Sequence, residues 1–128
     1  MQASRNKALL QLGGRPILLH SVETFRACCD RLVVVSAEVD LASVGELLPE
    51  VSLVPGGETR HGSEWNALQA LAGSLSGADV VAIHDAARPL VAATDVRAVI
   101  VAAQHSGAAM LAEAAAAPAL EIDGSLVT

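Results

Sequence analysis

Arg31-Leu32-Val33-Val34-Val35-Ser36 is the stretch on which the reading of this chain turns. Four apolar residues in succession, three of them β-branched and none alternating with polar ones, suit a strand covered on both faces. Strands of that kind belong to parallel sheets, which need crossover connections of a dozen or more residues, usually helical. The flanks supply them. Upstream, Pro16 after Gly13-Gly14-Arg15 suits the first turn of a helix whose Leu18, Val22 and Phe25 share a face. Downstream, Asp40 is the expected N-cap of a helix with Leu41, Val44, Leu47 and Leu48 on one side, ended by Pro49.

The same alternation continues outward. Val51 to Val54 predicts a second short strand, and the loop from Pro55 to Arg60 leads into a helix with Trp65, Leu68, Ala72 and Leu75 along one stripe. That stripe places Trp65 in the core rather than on a base-stacking platform. Asp79 to His84 predicts another buried strand, left by the loop Asp85-Ala86-Ala87-Arg88-Pro89. Thr94 is the expected cap of a helix with Val96, Val99, Ile100 and Ala103 inward, and Gly107 to Ala112 is a further strand candidate. Ala114 to Ala117 before Pro118 is low in complexity, and Glu121 to Val127 reads as a hairpin around Asp123-Gly124. No repeat and no linker divides the chain, so residues 1–128 are expected to form a single α/β domain with a mostly parallel sheet flanked by helices.

A chain of 128 residues that is 52% hydrophobic can bury a core, built here from aliphatic residues because Trp65 and Phe25 are its only aromatic ones of the Phe/Trp/Tyr type. The net charge of −6 argues against a nucleic-acid partner, since polyanion binding depends on a basic surface. Five of the eight basic residues, Arg5, Lys7, Arg15, Arg60 and Arg88, fall in loop-like stretches. They suit either a small phosphorylated ligand or ordinary solvated surface. Cys28 and Cys29 are adjacent, which would strain a mutual disulfide, and no metal-type spacing accompanies them, so they read as reduced, half-buried thiols. His20, His61, His84 and His105 are scattered and predict structural roles. The opening residues lack the apolar region of a secretion signal and no run is long enough to span a bilayer, so a cytoplasmic location and no membrane partner are expected.

In open parallel α/β sheets, ligands bind beyond the carboxyl ends of the strands. Two loops qualify. In Gly56-Gly57-Glu58-Thr59-Arg60 the glycines allow close backbone approach to a flat ligand, and the following helix, with Ser63 in its first turn, presents free N–H groups. In His84-Asp85-Ala86-Ala87-Arg88-Pro89 a carboxylate stands at a strand end, followed by two small residues and a cation, an order suited to a metal ion or a ribose hydroxyl. Each alone is as well explained by a turn or a surface charge. Their joint occurrence carries the reading.

The segments Asn6-Lys7-Ala8-Leu9-Leu10, Gly14-Arg15-Pro16-Ile17-Leu18 with His20-Ser21, Gly56-Gly57-Glu58-Thr59-Arg60 with Ser63 and Asn66-Ala67-Leu68, and His84-Asp85-Ala86-Ala87-Arg88-Pro89 are similar, in order and spacing, to successive motifs of the 2-C-methyl-D-erythritol 4-phosphate cytidylyltransferase family of isoprenoid precursor synthesis. The last segment is the most specific, and the resemblance spans nearly the whole chain. It implies a three-layer Rossmann-like nucleotidyltransferase fold, CTP and a polyol phosphate as partners, Mg2+ as cofactor, and transfer of CMP with release of pyrophosphate. By the same resemblance Lys7 is the catalytic lysine that neutralises nucleotide phosphates. Gly57, Glu58, Arg60 and Ser63 belong to the nucleotide loop, of which Gly57, Glu58 and Ser63 read the cytosine. Asp85 and Ala86 lie near the ribose and magnesium, with Asp85 the metal ligand, and Arg88 serves the second substrate.

The sequence also departs from the family. Members open with a strand and a glycine-rich loop ending in Arg-Met, and Met1 falls at that Met. Members carry an Asp-Thr-x-Lys motif after the strand matching 107–112, where this chain reads Ala117-Pro118-Ala119-Leu120, and then a further catalytic lysine. Glu64 replaces an apolar residue before the helix. The resemblance therefore implies an incomplete domain that lacks the first strand and the C-terminal part, with impaired turnover. The absent strand is central in the family's sheet, so a chain prone to aggregate is expected. A nucleotidyltransferase for another polyol phosphate, and a non-catalytic remnant acting as a binding or dimerisation module, are the alternatives. Family members dimerise through an arm that begins near the terminal hairpin, which implies a homodimer.

Overall fold

The computed structural model describes residues 6–112 and the backbone of residues 121–122 and 125–126. A 3-10 turn at Lys7–Leu9 leads to Gln11–Leu12 (β1), which pairs antiparallel with Arg15–Pro16 (β2). Gly13 and Gly14 between them have φ of 60° and 79°, the left-handed pair that a two-residue hairpin of this twist requires. Helix Ile17–Arg26 (α1) follows at once, with Pro16 as the residue before its first turn. His20 donates from Nε2 to the carbonyl of Leu12 at 2.9 Å and ties hairpin to helix.

Val33–Ser36 (β3) is the strand expected from the valine run, and helix Leu41–Leu47 (α2) carries the chain over to Ser52–Pro55 (β4). β3 and β4 pair in parallel, with Val33 opposite Ser52 and Ser36 opposite Pro55. Leu18 and Val22 of α1 pack with Val44 of α2 and Leu48 beyond it, against Val34 and Leu53 of the sheet. Each such fully buried aliphatic side chain stabilises the fold by about 1.5–3 kcal/mol. Side chains alternate along a strand, so Val33, Val35 and Val54 face the opposite layer, where helix Arg60–Leu71 (α3) packs on both strands. Helix Ala93–Ser106 (α4) buries Val96, with Val99, Ile100 and Ala103 partly buried, and Arg97 donates to the carbonyl of Ala27 at the end of α1. Glu121–Ile122 (β5) and Ser125–Leu126 (β6) pair antiparallel where the terminal hairpin is expected, and its Asp123-Gly124 turn lies outside the described residues.

The α/β class holds, and several finer expectations do not. Asp79 to His84 joins no ladder, because β-branched residues supply only half of what a strand needs and no partner backbone lies alongside among the described residues. Gly107 to Ala112 forms no strand either. Gly107, at φ 87°, is the left-handed cap of α4 and donates to the carbonyl of Ala103 at 2.8 Å. Trp65 is 57% exposed rather than core, since α3 turns that position outward from the sheet. Leu47 is likewise exposed, at the end of α2. Asp40 precedes α2, but its carboxylate caps nothing there; it accepts instead from Nδ2 of Asn6 at 2.9 Å. Thr94 lies inside α4, whose first turn has no side-chain cap. Glu64 lies within α3, not before it. Cys28 and Cys29 are free and half-buried, as expected.

Candidate functional site

The loop after β4 is built to come close to the helix it precedes. Thr59 caps α3, its Oγ1 accepting from the N–H of Gly62 at 3.0 Å. Ser63, one position further into that turn, accepts at Oγ from the N–H of Gly57 and donates to the carbonyl of Thr59, both at 3.0 Å. The loop is thereby pulled so tightly onto α3 that a Cβ on Gly57 would stand 2.8 Å from the carbonyl carbon of Gly62. Glycine at 57 is a packing requirement before it is anything else. Asn66 closes the other side by donating to the carbonyl of Pro55 at 3.1 Å.

The second loop is a self-braced turn. Asp85 accepts at Oδ1 from the N–H of Ala87 at 3.0 Å, the N–H of Arg88 donates to the Asp85 carbonyl at 2.9 Å, and Arg88 Nε stands 3.6 Å from Asp85 Oδ2. Buried Ser21 of α1 donates from Oγ to the carbonyl of Ala86 at 3.1 Å and holds the turn against the core. His84 stacks on Phe25 with ring centroids 4.7 Å apart. Its Nε2 donates to the carbonyl of Arg88 at 3.1 Å, because a carbonyl can only accept. Burial pushes the His84 pKa down, against the opposing influence of the Arg88 carbonyl and Asp85.

Both loops, with the Lys7 turn, line one open cleft of about 1280 Å3. Lys7, Gly57, Glu58, Arg60, Ser63, Asp85 and Ala86 are all on its wall, and Arg88 is not. Arg88 is turned outward with its side chain 80% exposed. Arg60 begins α3 and pairs with Glu64 Oε1 at 3.1 Å, leaving Lys7 as a rim cation with no ion pair among the described residues. Asn6 sets that turn in place by accepting from the N–H of Ala8 and donating to Asp40. Asn6, Asp40, Thr59 and Ser21 position the site, a role that sequence reading did not give them although all four were named in it. Thr59, three residues ahead of Gly62, carried the local signal of a helix N-cap and fulfils it, whereas Asp40 carried the same signal and bonds Asn6 instead. The cleft's charged wall has six carboxylates (Asp30, Glu38, Glu58, Glu64, Asp79 and Asp85) against Lys7, Arg31 and Arg60. Among the described residues no three His, Cys, Asp or Glu side chains gather as a metal cluster. His20 and His84 have the structural partners expected of them.

Parallel strands joined by a crossover helix, with a glycine loop and an Asp turn walling one cleft, define an α/β protein of the Rossmann-like nucleotidyltransferase class. A family model described as 2-C-methyl-D-erythritol 4-phosphate cytidylyltransferase matches residues 1–123, and the chain belongs to that family. It is similar to the proteins of that description from Geobacillus kaustophilus, 36% identical over 118 residues, covering 86% of this chain and 50% of the relative, and from Bacillus pumilus, 33% over 120 residues, 88% and 51%. The protein of the same description from Cereibacter sphaeroides is 47% identical over 88 residues, 63% of this chain and 38% of the relative. The chain thus spans about half the length of the curated relatives it matches. No helix among the described residues is long and apolar enough to cross a membrane.

Proposed function

We propose that the cleft binds CTP, and that the protein to which these residues belong transfers CMP to 2-C-methyl-D-erythritol 4-phosphate. The observation that carries this reading is the meeting of the Gly57 loop and the Asp85 turn on one wall together with Lys7. A cytosine presents a 4-amino donor and ring acceptors. Ser63 Oγ, already accepting from Gly57 and donating to Thr59, retains one lone pair for that amino group, and the N–H of Glu58 serves a ring acceptor. Ala86, without a bulky side chain, leaves room for the ribose beside Asp85.

The reaction is a displacement at the α-phosphorus. An oxygen of the polyol phosphate forms the new O–P bond, the bond to the β-phosphate oxygen breaks, and pyrophosphate leaves. Lys7 offsets the charge of the triphosphate, and catalysis is otherwise positioning, so no covalent nucleophile is needed. The carboxylate-rich wall supports a role for a divalent cation, because a polyphosphate there meets more negative than positive charge. Magnesium is held through one or two carboxylates plus substrate phosphates. The donor set here, Asp85 alone, fits an ion arriving with the nucleotide, and that ion would supply charge neutralisation at the phosphates. Arg60 assists once released from Glu64, and Arg88, outside the wall, serves the second substrate. A cytoplasmic setting and a homodimer accompany this reading.

Calorimetry with CTP and magnesium tests it. Asp85→Asn keeps an acceptor for the Ala87 N–H and removes only the charge, so it should weaken CTP binding about tenfold or more with the fold intact. Equal binding by both proteins, or binding by neither, would remove the site assignment. Turnover is then read as pyrophosphate release with each candidate polyol phosphate on the full-length protein.

A further inference from the structure

Ser36 closes β3 and is only 8% exposed, and its Oγ is buried with no hydrogen-bond partner among the described residues. Buried hydroxyls nearly always find a partner, because an unpaired one has given up its bonds to water with no return. Ser21 and Ser63, on the same cleft wall, both use theirs. The strand end does not need this one. The Ser36 carbonyl already accepts from the Gly56 N–H at 2.8 Å, which fastens β3 to the glycine loop through backbone alone.

Position says what the hydroxyl can meet. Ser36 is bonded to the loop read as holding the base, and four residues further on Asp40 holds Asn6, the neighbour of Lys7. It therefore stands between the base loop and the lysine that faces the phosphates, which is the place of the sugar in a nucleotide. Alternation along β3 puts Ser36 on the same face as Val34, toward the α1 cluster. Ala86, fixed by Ser21, packs on that same cluster.

We infer that Ser36 is a specificity-determining residue whose hydroxyl bonds a ribose hydroxyl of the bound nucleotide, across from Ala86. The inference deepens the CTP reading and rests on it. A serine hydroxyl both donates and accepts, as a ribose hydroxyl does, so the two match in either direction. Phosphate oxygens have Lys7, and the base has Ser63. In the unliganded protein Oγ is packed away; when nucleotide binds, it turns about χ1 to another staggered position and faces the sugar. The hydroxyl thus lowers the stability of the free protein and returns the difference as affinity. A nucleotide lacking the matching ribose hydroxyl leaves it unpaired again, and a site of that kind discriminates strongly.

The test is made on the full-length protein, by thermal unfolding and by calorimetry with CTP, 2′-deoxy-CTP and 3′-deoxy-CTP, each with magnesium. Ser36→Ala should melt about 2–4 °C higher than the parent without ligand, and should bind CTP about tenfold more weakly. Ser36→Cys, nearly the same shape with a weak donor, should show the same loss of affinity. For one of the two deoxynucleotides the loss should vanish in both variants, because the bond is already absent. A lower melting point for Ser36→Ala with unchanged CTP affinity would assign the hydroxyl a structural role and overturn the inference. So would a loss of equal size for CTP and for both deoxynucleotides. Parent protein that binds CTP and loses it on Asp85→Asn, beside Ser36 variants that bind as the parent does, sinks this inference alone. Absence of CTP binding by the parent sinks the nucleotide reading and this inference with it.

Discussion

At the scale of single residues, Gly57 and His84 show how local chemistry is fixed by what each group touches. A methyl at position 57 meets backbone, which cannot swing aside, so Gly57→Ala should destabilise the chain by about 1–3 kcal/mol in denaturant unfolding. Gly56→Ala is the control. There the nearest atom is the Ser63 Oγ at 3.3 Å, a side chain that can yield, and the expected loss is smaller. His84 gives the pH dependence. Its folded pKa lies below the ordinary value of 6.5, so between the two values the unfolded chain binds the proton more readily than the folded one. Its contribution to stability is complete above pH 6.5 and is lost as pH falls through the folded pKa. Unfolding free energy measured from pH 7.5 down to 5 should fall, and His84→Phe, which keeps an aromatic partner for Phe25, should show a flatter slope. An unchanged slope in that variant would place the titration elsewhere.

At the scale of elements, the contrast between two threonines separates a real cap from an apparent one. Thr59 satisfies an otherwise unpaired N–H at the start of α3, and Thr59→Ala should cost about 1 kcal/mol. Thr94 looks similar in sequence but sits within the first turn of α4, so Thr94→Ala should change stability by less than about 0.5 kcal/mol. Thermal unfolding of the pair checks both. The loss at Thr59 should also weaken CTP binding, because the same turn holds Ser63 and Gly57 in place, whereas the Thr94 variant should bind as the parent does.

At the scale of the whole molecule, the open cleft sets the behaviour in solution. Apolar groups on its floor and the exposed Ile83 and Val81 make contact between copies favourable. Self-association that grows with concentration is expected in light scattering, and Ile83→Lys should reduce it while leaving the Leu18–Val22–Val44–Leu48 core untouched. A monodisperse monomer with a sharp thermal transition would contradict the expectation. The same openness makes Val44, 1% exposed at the centre of the core, a costly place to cut. Val44→Ala should destabilise the chain by about 2 kcal/mol, a large share of the stability of so small a domain.

The sequence by itself determined the class, the periodic faces of α1 and α4, the β3–α2–β4 unit and the two loops that wall the cleft. All of these follow from residues close together in the chain: a β-branched run, helical spacing, a Gly-Gly pair, an Asp followed by small residues. Only the tertiary structure decided what became of 79–84 and 107–112, because a strand is defined by a partner's backbone and no composition supplies one. The same holds for Trp65, which belongs to an apolar stripe in sequence but is itself exposed, and for Asp40, whose carboxylate was claimed by Asn6, 34 residues away. Short-range patterns are carried by covalent spacing; exposure, partner choice and the division of labour along a cleft depend on which surfaces finally meet.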